Sequence, residues 1–375
     1  MRTERTVLEE LLPGLDSTLS DHDWDVLERP DSPAFAAFKK AGGPALLVPS
    51  EHSGTGADPV QAVRVQRAVA SRSPSLAVAT TMHHFSVASL VETHRVNQGL
   101  EWMLLEGVAR DGLLLASGFA EGQPGQHILS PTMRAEQTAD GQVFISGSKK
   151  PCSLAHSMDL LTASVTVPLA DGDGTQMAVA LVPAGSDGMR VEPFWTAPVL
   201  AGAESDAVIL DRVPVPEDLL VRISPEASGG LDALQTAGFL WFELLMTASY
   251  LGAASALAER VLLSNRVPVT EQAAIVTELE AVMSAVEGIA FRMAGGFSGQ
   301  EALATSLVCR YSAQDAIARA VQRCVESLGG MAFISDPQVA YLASCTQALA
   351  FHPPSRSRMA VAVRDYFAGA SLTIA

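Results

Sequence analysis

One histidine in this sequence has the surroundings that best suit proton transfer. His352 follows a long apolar run with helical spacing and is followed directly by Pro353 and Pro354. Proline lacks a backbone N–H and its ring clashes with the preceding turn, so the helix must end here and the imidazole sits at a rigid corner. Because an imidazole titrates near neutral pH, a fixed His352 could transfer protons. The alternative is a C-cap whose ring binds the last helix carbonyls.

A carboxylate inside an apolar helix is the second candidate. Glu243 lies in the apolar stretch 240–245, where the spacing predicts a helix. Burial disfavours the charged form, so its pKa would rise and the group could act as a general base. The alternative is a salt bridge to an arginine such as Arg260 or Arg292.

A serine and a pair of histidines complete the set of candidate residues. Ser153 follows a predicted strand and a proline, which would hold its hydroxyl in place. It could equally be a strand-end serine that caps its own backbone. His83 and His84 lie in a run with apolar helical spacing, and we expect one of them to be a packed core histidine.

Three blocks of different periodicity must position these residues. Apolar residues recur at helical spacing up to about residue 114, the period changes to two from 113 to 221, and the helical period returns from 230. We therefore predict a mostly helical protein with a central β domain, divided at 1–114, 115–225 and 226–375. Predicted helices cover residues 59–71, 76–93, 99–110, 231–265, 269–295, 301–328 and 337–351, and predicted strands cover 142–147, 158–167, 177–182, 189–194 and 207–210.

Composition limits the partners and the compartment. The chain has 375 residues, of which 48% are hydrophobic and 18% charged, which is typical of a deeply packed globular protein. A net charge of -16 repels nucleic acid and anionic membranes, so we exclude both as main partners. No secretory segment and no apolar run of membrane-spanning length is evident, so we expect a soluble, cytoplasmic protein.

The cysteines do not indicate a metal site. They lack paired metal-ligand spacing, and most lie in apolar helical runs, so we expect no bound metal and interpret them as small buried hydrophobic residues in a reducing cytosol. The four are Cys152, Cys309, Cys324 and Cys345.

Four local stretches, in order along the chain, resemble the acyl-CoA dehydrogenase superfamily of flavoenzymes. They are residues 47–56, 118–125, 141–153 and 326–333. The resemblance covers nearly the whole chain. It implies an N-terminal helical domain, a middle β barrel and a C-terminal four-helix bundle, with a flavin in the crevice between them.

The resemblance also implies a set of flavin-binding residues. In the family the residue that matches Ser153 binds the flavin ring at N5, and Arg266 is what remains of a motif that binds the FAD pyrophosphate. Gly329 and Gly330 match a turn that lies near the flavin of the partner subunit, although on their own they are simply a helix stop. The implied cofactor-binding residues are Phe119, Gly125, Cys152, Ser153, Arg266, Gly329 and Gly330.

Departures from the dehydrogenase pattern favour an oxygenase. Dehydrogenases carry a C-terminal Glu that removes the substrate α-proton, and here His352 stands in its place. That corner is similar to one in two-component flavin monooxygenases of the dibenzothiophene and phenol hydroxylase type. His84-Phe85 and Ser153 are also similar to residues of those enzymes. The similarity implies that His352, His84 and Ser153 converge on a reduced flavin, FAD or FMN, which a separate flavin reductase supplies. The substrate would be a small organic or thioester-linked molecule.

Two other functions remain open from the sequence. One is an acyl-CoA or acyl-carrier-protein dehydrogenase with Glu243 as the base and bound FAD. The other is a non-catalytic member that binds an acyl group or a protein. In each case the apolar surface of the C-terminal helices predicts a homodimer or homotetramer.

Overall fold

The segment before the first strand is helical, as its spacing predicts. The computed structural model describes residues 1–99, 101–123, 130–138, 141–169, 174–223 and 233–374. Asp58 begins the fifth helix with a capping box to Gln61, and the Ser73 side chain caps the sixth; both helices carry a proline at their first position. The helices are α1 Arg2–Leu11, α2 Leu15–Ser20, α3 Trp24–Leu27, α4 Ala34–Lys40, α5 Pro59–Arg72, α6 Pro74–Asn97 and α7 Glu101–Asp111.

The middle of the chain forms one eight-stranded sheet from the described residues. The strands are β1 Leu115–Gly118, β2 Arg134–Gln137, β3 Val143–Cys152, β4 Leu160–Pro168, β5 Thr175–Pro183, β6 Met189–Glu192, β7 Asp206–Val215 and β8 Leu220–Arg222. Their order is β6-β7-β3-β2-β4-β5-β8, and β1 pairs in parallel with β4. The five predicted strands are confirmed, whereas β1, β2 and β8 are too short to give an alternating pattern.

The helical period after residue 230 is also confirmed. These helices are α8 Ala233–Leu263, α9 Val269–Ala294, α10 Gly299–Ser335, α11 Pro337–Cys345 and α12 Arg356–Phe367, and a 3₁₀ turn, Thr346–Phe351, follows α11. Gly329 has φ 82° and ψ 165°, so it kinks α10 where the sequence predicts a helix stop. The run predicted as a single helix over 337–351 is instead α11 plus the 3₁₀ turn.

The core is organised around α8, which packs against α5, α6, α9, α10 and α11. Every residue from 242 to 258 is buried. By length and composition the segment Gln235–Leu263 could cross a membrane, but 89% of its most apolar window is buried inside the protein. It is therefore the central helix of the hydrophobic core.

The approach of α8 to α5 depends on a glycine. A Cβ on Gly252 would lie 2.6 Å from the Ala70 Cβ and closer still to the backbone oxygen of Arg67. Both neighbours belong to α5, and neither is the end of a flexible side chain. A side chain at position 252 would therefore push the two helices apart.

We predict opposite effects for two glycine substitutions in these helices. Gly252→Ala should lower the free energy of unfolding by roughly 1–3 kcal/mol, because overpacking outweighs the better helix propensity of alanine. Gly288→Ala in α9, where an added Cβ meets nothing within 4 Å, should raise it by roughly 0.5–1 kcal/mol. Denaturant unfolding measures both, and a stabilised Gly252→Ala protein would contradict the close helix contact.

Candidate active site

A cavity of about 570 Å³ lies where α6, α8, the sheet and the turn after α11 meet. Its volume falls in the range of small-molecule and cofactor sites. Aromatic side chains make up much of its wall, among them Phe85, Phe119, Trp195 and Phe242. Three of the predicted site residues, His352, Ser153 and Phe119, line this cavity.

His352 directly follows the 3₁₀ turn, and its imidazole ring contacts a tyrosine. Its backbone leaves the helical region with φ -67° and ψ 135°, as the two prolines after it require. Its Nε2 atom lies 2.8 Å from the hydroxyl of Tyr250 on α8. The ring therefore hydrogen-bonds to a side chain of another helix and not to the last carbonyls of its own turn.

Both members of the His352–Tyr250 pair are electrically neutral at pH 7. Burial, with a smaller contribution from the Arg310 guanidinium, lowers the pKa of His352 to about 3. Burial raises the pKa of Tyr250 well above its usual value, so the phenol keeps its proton. The cavity wall thus contains an uncharged imidazole that is hydrogen-bonded to a neutral phenol.

Glu243 lies behind this corner and does not line the cavity. Its Oε2 is 2.6 Å from Nε of Arg310 on α10, an ion pair without the alignment of a hydrogen bond, and both side chains are fully buried. Burial raises the pKa of Glu243 to about 7, and Arg310 opposes that rise. The expected partners were wrong, because Arg260 pairs with Asp336 and Arg292 with Glu301.

Ser153 and Ser205 lie in two neighbouring segments that contain residues with a strained backbone. Its Oγ lies 3.0 Å from Oγ of Ser205, and both residues line the cavity. Leu154, Leu200 and Glu204 have φ values of 65°, 59° and 54°, a region that residues with a Cβ adopt at a cost. Such strain persists where the surrounding structure imposes it, often at functional sites. The two segments together hold the two hydroxyls at the cavity wall.

His84 is not brought to the cavity. The face of α6 that lines it carries Met82, Phe85 and Ser86, and each helical residue is rotated by about 100° from the next. His84 packs against the ring of Phe38, with 5.8 Å between ring centroids, and neither ring nitrogen has a hydrogen-bond partner among the described residues. Burial holds its pKa well below the usual value.

His83 is the packed core histidine that the sequence suggests for this pair. Its Nε2 lies 2.9 Å from the Pro44 carbonyl, and its Nδ1 accepts from the backbone N–H of Leu115 at 3.1 Å. The imidazole therefore joins the helical segment to the start of the sheet.

The predicted flavin-binding residues divide by position. Phe119 lines the cavity, whereas Cys152 is buried behind it, with its Sγ 3.6 Å from the Ser117 carbonyl. Arg266 is exposed between α8 and α9 and does not line the cavity. Gly329 and Gly330 also lie outside it, and an added Cβ at either would meet nothing within 4 Å. Gly125 lies outside the described residues.

Sequence reasoning missed Tyr250, Arg310, Trp195 and Ser205. For Tyr250 a signal existed, because a phenol in so apolar a helix needs a hydrogen-bond partner when buried. Arg310 stands in an apolar stretch of α10 and could have been proposed as a counter-ion, but the sequence offers several other arginines. The contact of Ser205 with Ser153 crosses from one strand end to another and leaves no local signal.

Two known oxygenases have sequences similar to this chain. No protein-family model matches the sequence. The chain is 46% identical to an isobutylamine N-hydroxylase of Streptomyces viridifaciens over 374 residues, which is 99% of this chain and 98% of that protein. It is 28% identical over 181 residues to a dibenzothiophene monooxygenase of Rhodococcus erythropolis, which is 48% of this chain and 42% of that protein.

The fold is that of a solved flavin enzyme. The FMN-bound structure of the dibenzothiophene monooxygenase TdsC from Paenibacillus sp. A11-2 superposes with a TM-score of 0.83 at 18% identity, covering 100% of this chain and 99% of that one. High identity along the full length to an N-hydroxylase, together with this fold, decides between the alternatives that the sequence left open. The chain belongs to the acyl-CoA dehydrogenase-like flavin monooxygenases, and it is an oxygenase that uses reduced flavin and O₂.

Proposed function

We propose that the chain N-hydroxylates a short aliphatic primary amine, with reduced FMN or FAD delivered by a separate flavin reductase. The full-length identity to isobutylamine N-hydroxylase supports the substrate class. The structural observation that carries the proposal is the wall of the cavity, which offers hydrogen-bond acceptors and a neutral base to an N–H group.

The acceptors come from hydroxyls on α6. Ser86, Ser89 and Thr93 line the cavity. Each hydroxyl donates its proton to the backbone carbonyl four residues earlier, at 2.9, 2.9 and 2.8 Å. Because the single proton of each is used, the oxygen lone pairs remain for a ligand. This face of α6 therefore suits an N–H donor.

The neutral imidazole suits the chemistry at nitrogen. Reduced flavin supplies two electrons to O₂, so that R–NH₂ + O₂ + reduced flavin gives R–NHOH + oxidised flavin + H₂O. In the tautomer in which Nε2–H donates to the Tyr250 oxygen, Nδ1 of His352 has a free lone pair and accepts the proton that the substrate nitrogen loses as its N–O bond forms. Tyr250 holds the ring through Nε2, which directs the rest of the imidazole to the cavity.

The residues present fit a flavin. Ser153 and Ser205 place two hydroxyls at the cavity wall beside the aromatic rings of Phe119 and Trp195. The Trp195 ring is fixed because its indole N–H donates to the Val199 carbonyl at 2.9 Å. Ser153 would hold the flavin at N5, and the two rings would pack on its flat surface. The flavin would lie in the crevice between three domains, at residues 1–114, 115–225 and 226–375. The protein would assemble as a homodimer or homotetramer.

We predict oxygen transfer to isobutylamine by the purified protein. With a flavin reductase, NADH, FMN and ¹⁸O₂, the product should be the hydroxylamine with one labelled oxygen, identified by mass spectrometry. Isobutanol has the same carbon skeleton without the amine and should remain unchanged. Oxidation of a butyryl thioester in place of the amine would contradict the proposal and restore the dehydrogenase alternative.

We predict that substitutions of His352 and of Tyr250 lower the hydroxylation rate by different amounts. His352→Gln should lower the hydroxylation rate by roughly 10²- to 10⁴-fold, the range of a lost general base. Tyr250→Phe should lower it by about fivefold, since one neutral hydrogen bond is worth roughly 1 kcal/mol. Rates are measured at saturating reduced flavin, and Thr277→Val on the exposed side of α9 serves as the control. Full activity of His352→Gln would exclude the imidazole from the proton transfer.

A further inference from the structure

The buried ion pair of Glu243 and Arg310 has no part in the proposed proton transfer, yet it touches the corner that carries the base. We infer that Glu243 and Arg310 are positioning residues, which fix the backbone of residues 352–354 and thereby the direction of the His352 imidazole. The inference rests on the proposed role of His352 at the oxygenase site.

Each of the three guanidinium nitrogens of Arg310 faces a partner. Nη1 donates to the His352 carbonyl at 3.1 Å, Nη2 donates to the Pro354 carbonyl, and Nε faces Glu243. The two carbonyls lie on either side of Pro353. Since Pro353 and Pro354 have no N–H groups, this corner cannot form the backbone hydrogen bonds of a regular turn. The guanidinium supplies the missing donors.

The geometry requires an arginine at position 310. A guanidinium is a planar fork whose nitrogens can reach two carbonyls and a carboxylate at once, whereas an ammonium is a point donor. The Tyr311 hydroxyl adds a second bond to the Pro354 carbonyl, at 2.9 Å. Thus α10 determines where the corner lies.

Glu243 makes the buried cation tolerable and connects it to α8. A fully buried arginine without a counter-ion carries a large desolvation cost, which the carboxylate offsets. Tyr250 lies seven residues after Glu243, about two turns along the same face of α8. One helix therefore holds the ring of His352 directly and its backbone through Arg310.

The competing explanation is that the pair only joins α8 to α10. Buried ion pairs as a class add little net stability, so a stability measurement alone cannot separate the two explanations. The test needs a property of His352 itself. The rate at which diethyl pyrocarbonate modifies His352, followed by peptide mass spectrometry on flavin-free protein, is such a property and needs neither flavin nor amine.

Arg310→Lys is the informative variant, because it keeps a cation beside Glu243 and loses the fork. Arg67→Lys is its matched control. Arg67 is also buried, lies 2.5 Å from Glu4 and donates to Ser255, and it has no contact with the corner. Glu243→Gln, which keeps the shape and removes the charge, serves as a second variant should Arg310→Lys fail to fold. All assays run at the same interval below each variant's Tm.

We expect Arg310→Lys to change the modification rate of His352 several-fold and to lower kcat by roughly ten- to a hundredfold, the cost of a group misplaced by about 1 Å. The KM for the amine should stay within about twofold, because the α6 hydroxyls are untouched. More of the reduced flavin should end as hydrogen peroxide. Arg67→Lys should keep the wild-type modification rate and kcat, and Glu243→Gln should change both in the same direction as Arg310→Lys.

An unchanged modification rate and kcat in Arg310→Lys would overturn the inference, as would equal changes in Arg67→Lys. Failure of the proposed function looks different. In that case the wild-type protein would not hydroxylate the amine, while the modification rate of His352 would still distinguish Arg310→Lys from Arg67→Lys.

Discussion

The burial of α8 from residue 242 to residue 258 determines where the polar groups of the site can lie. A helix with every residue from 242 to 258 inside the protein leaves no solvent for a polar side chain, so each one must find its partner within the fold. Glu243 finds Arg310, and Tyr250 finds His352. Both solutions meet at the corner formed by residues 352–354. The position of the proposed base is thus a consequence of how a core helix satisfies its polar groups.

The same burial gives the cavity its electrostatic character. Burial lowers the pKa of His352 to about 3, so the imidazole is uncharged at neutral pH. Glu121, which also lines the cavity, accepts from the buried ammonium of Lys149 at 2.7 Å, so its charge is compensated. A cavity of this kind favours the free base of an amine over the alkylammonium ion. The free base is the form whose nitrogen lone pair can bond to oxygen, so binding selects the reactive form.

Periodicity in the sequence predicted most of the long elements, because one side of each helix and strand must face the core. The two prolines correctly placed His352 at a corner. It is harder to predict from the sequence which side chains of a helix face the cavity. In α6 the sequence indicated His84, but Phe85 faces the cavity, and a shift of one residue turns a side chain by about 100°. Local patterns also could not choose Arg310 over Arg260 or Arg292 as the partner of Glu243, since that choice depends on how α8 and α10 pack.

We infer that His352 is an uncharged base inside the cavity. The most direct test is ¹⁵N NMR of histidine-labelled protein, with the His352 signals assigned from the His352→Gln variant and followed against pH. We expect neutral imidazole signals for His352 from about pH 8 to about pH 5, because burial has moved its pKa below that interval. Titration of His352 near its ordinary value of 6.5 would show instead that the group is charged and solvated below that pH, which is incompatible with an uncharged base.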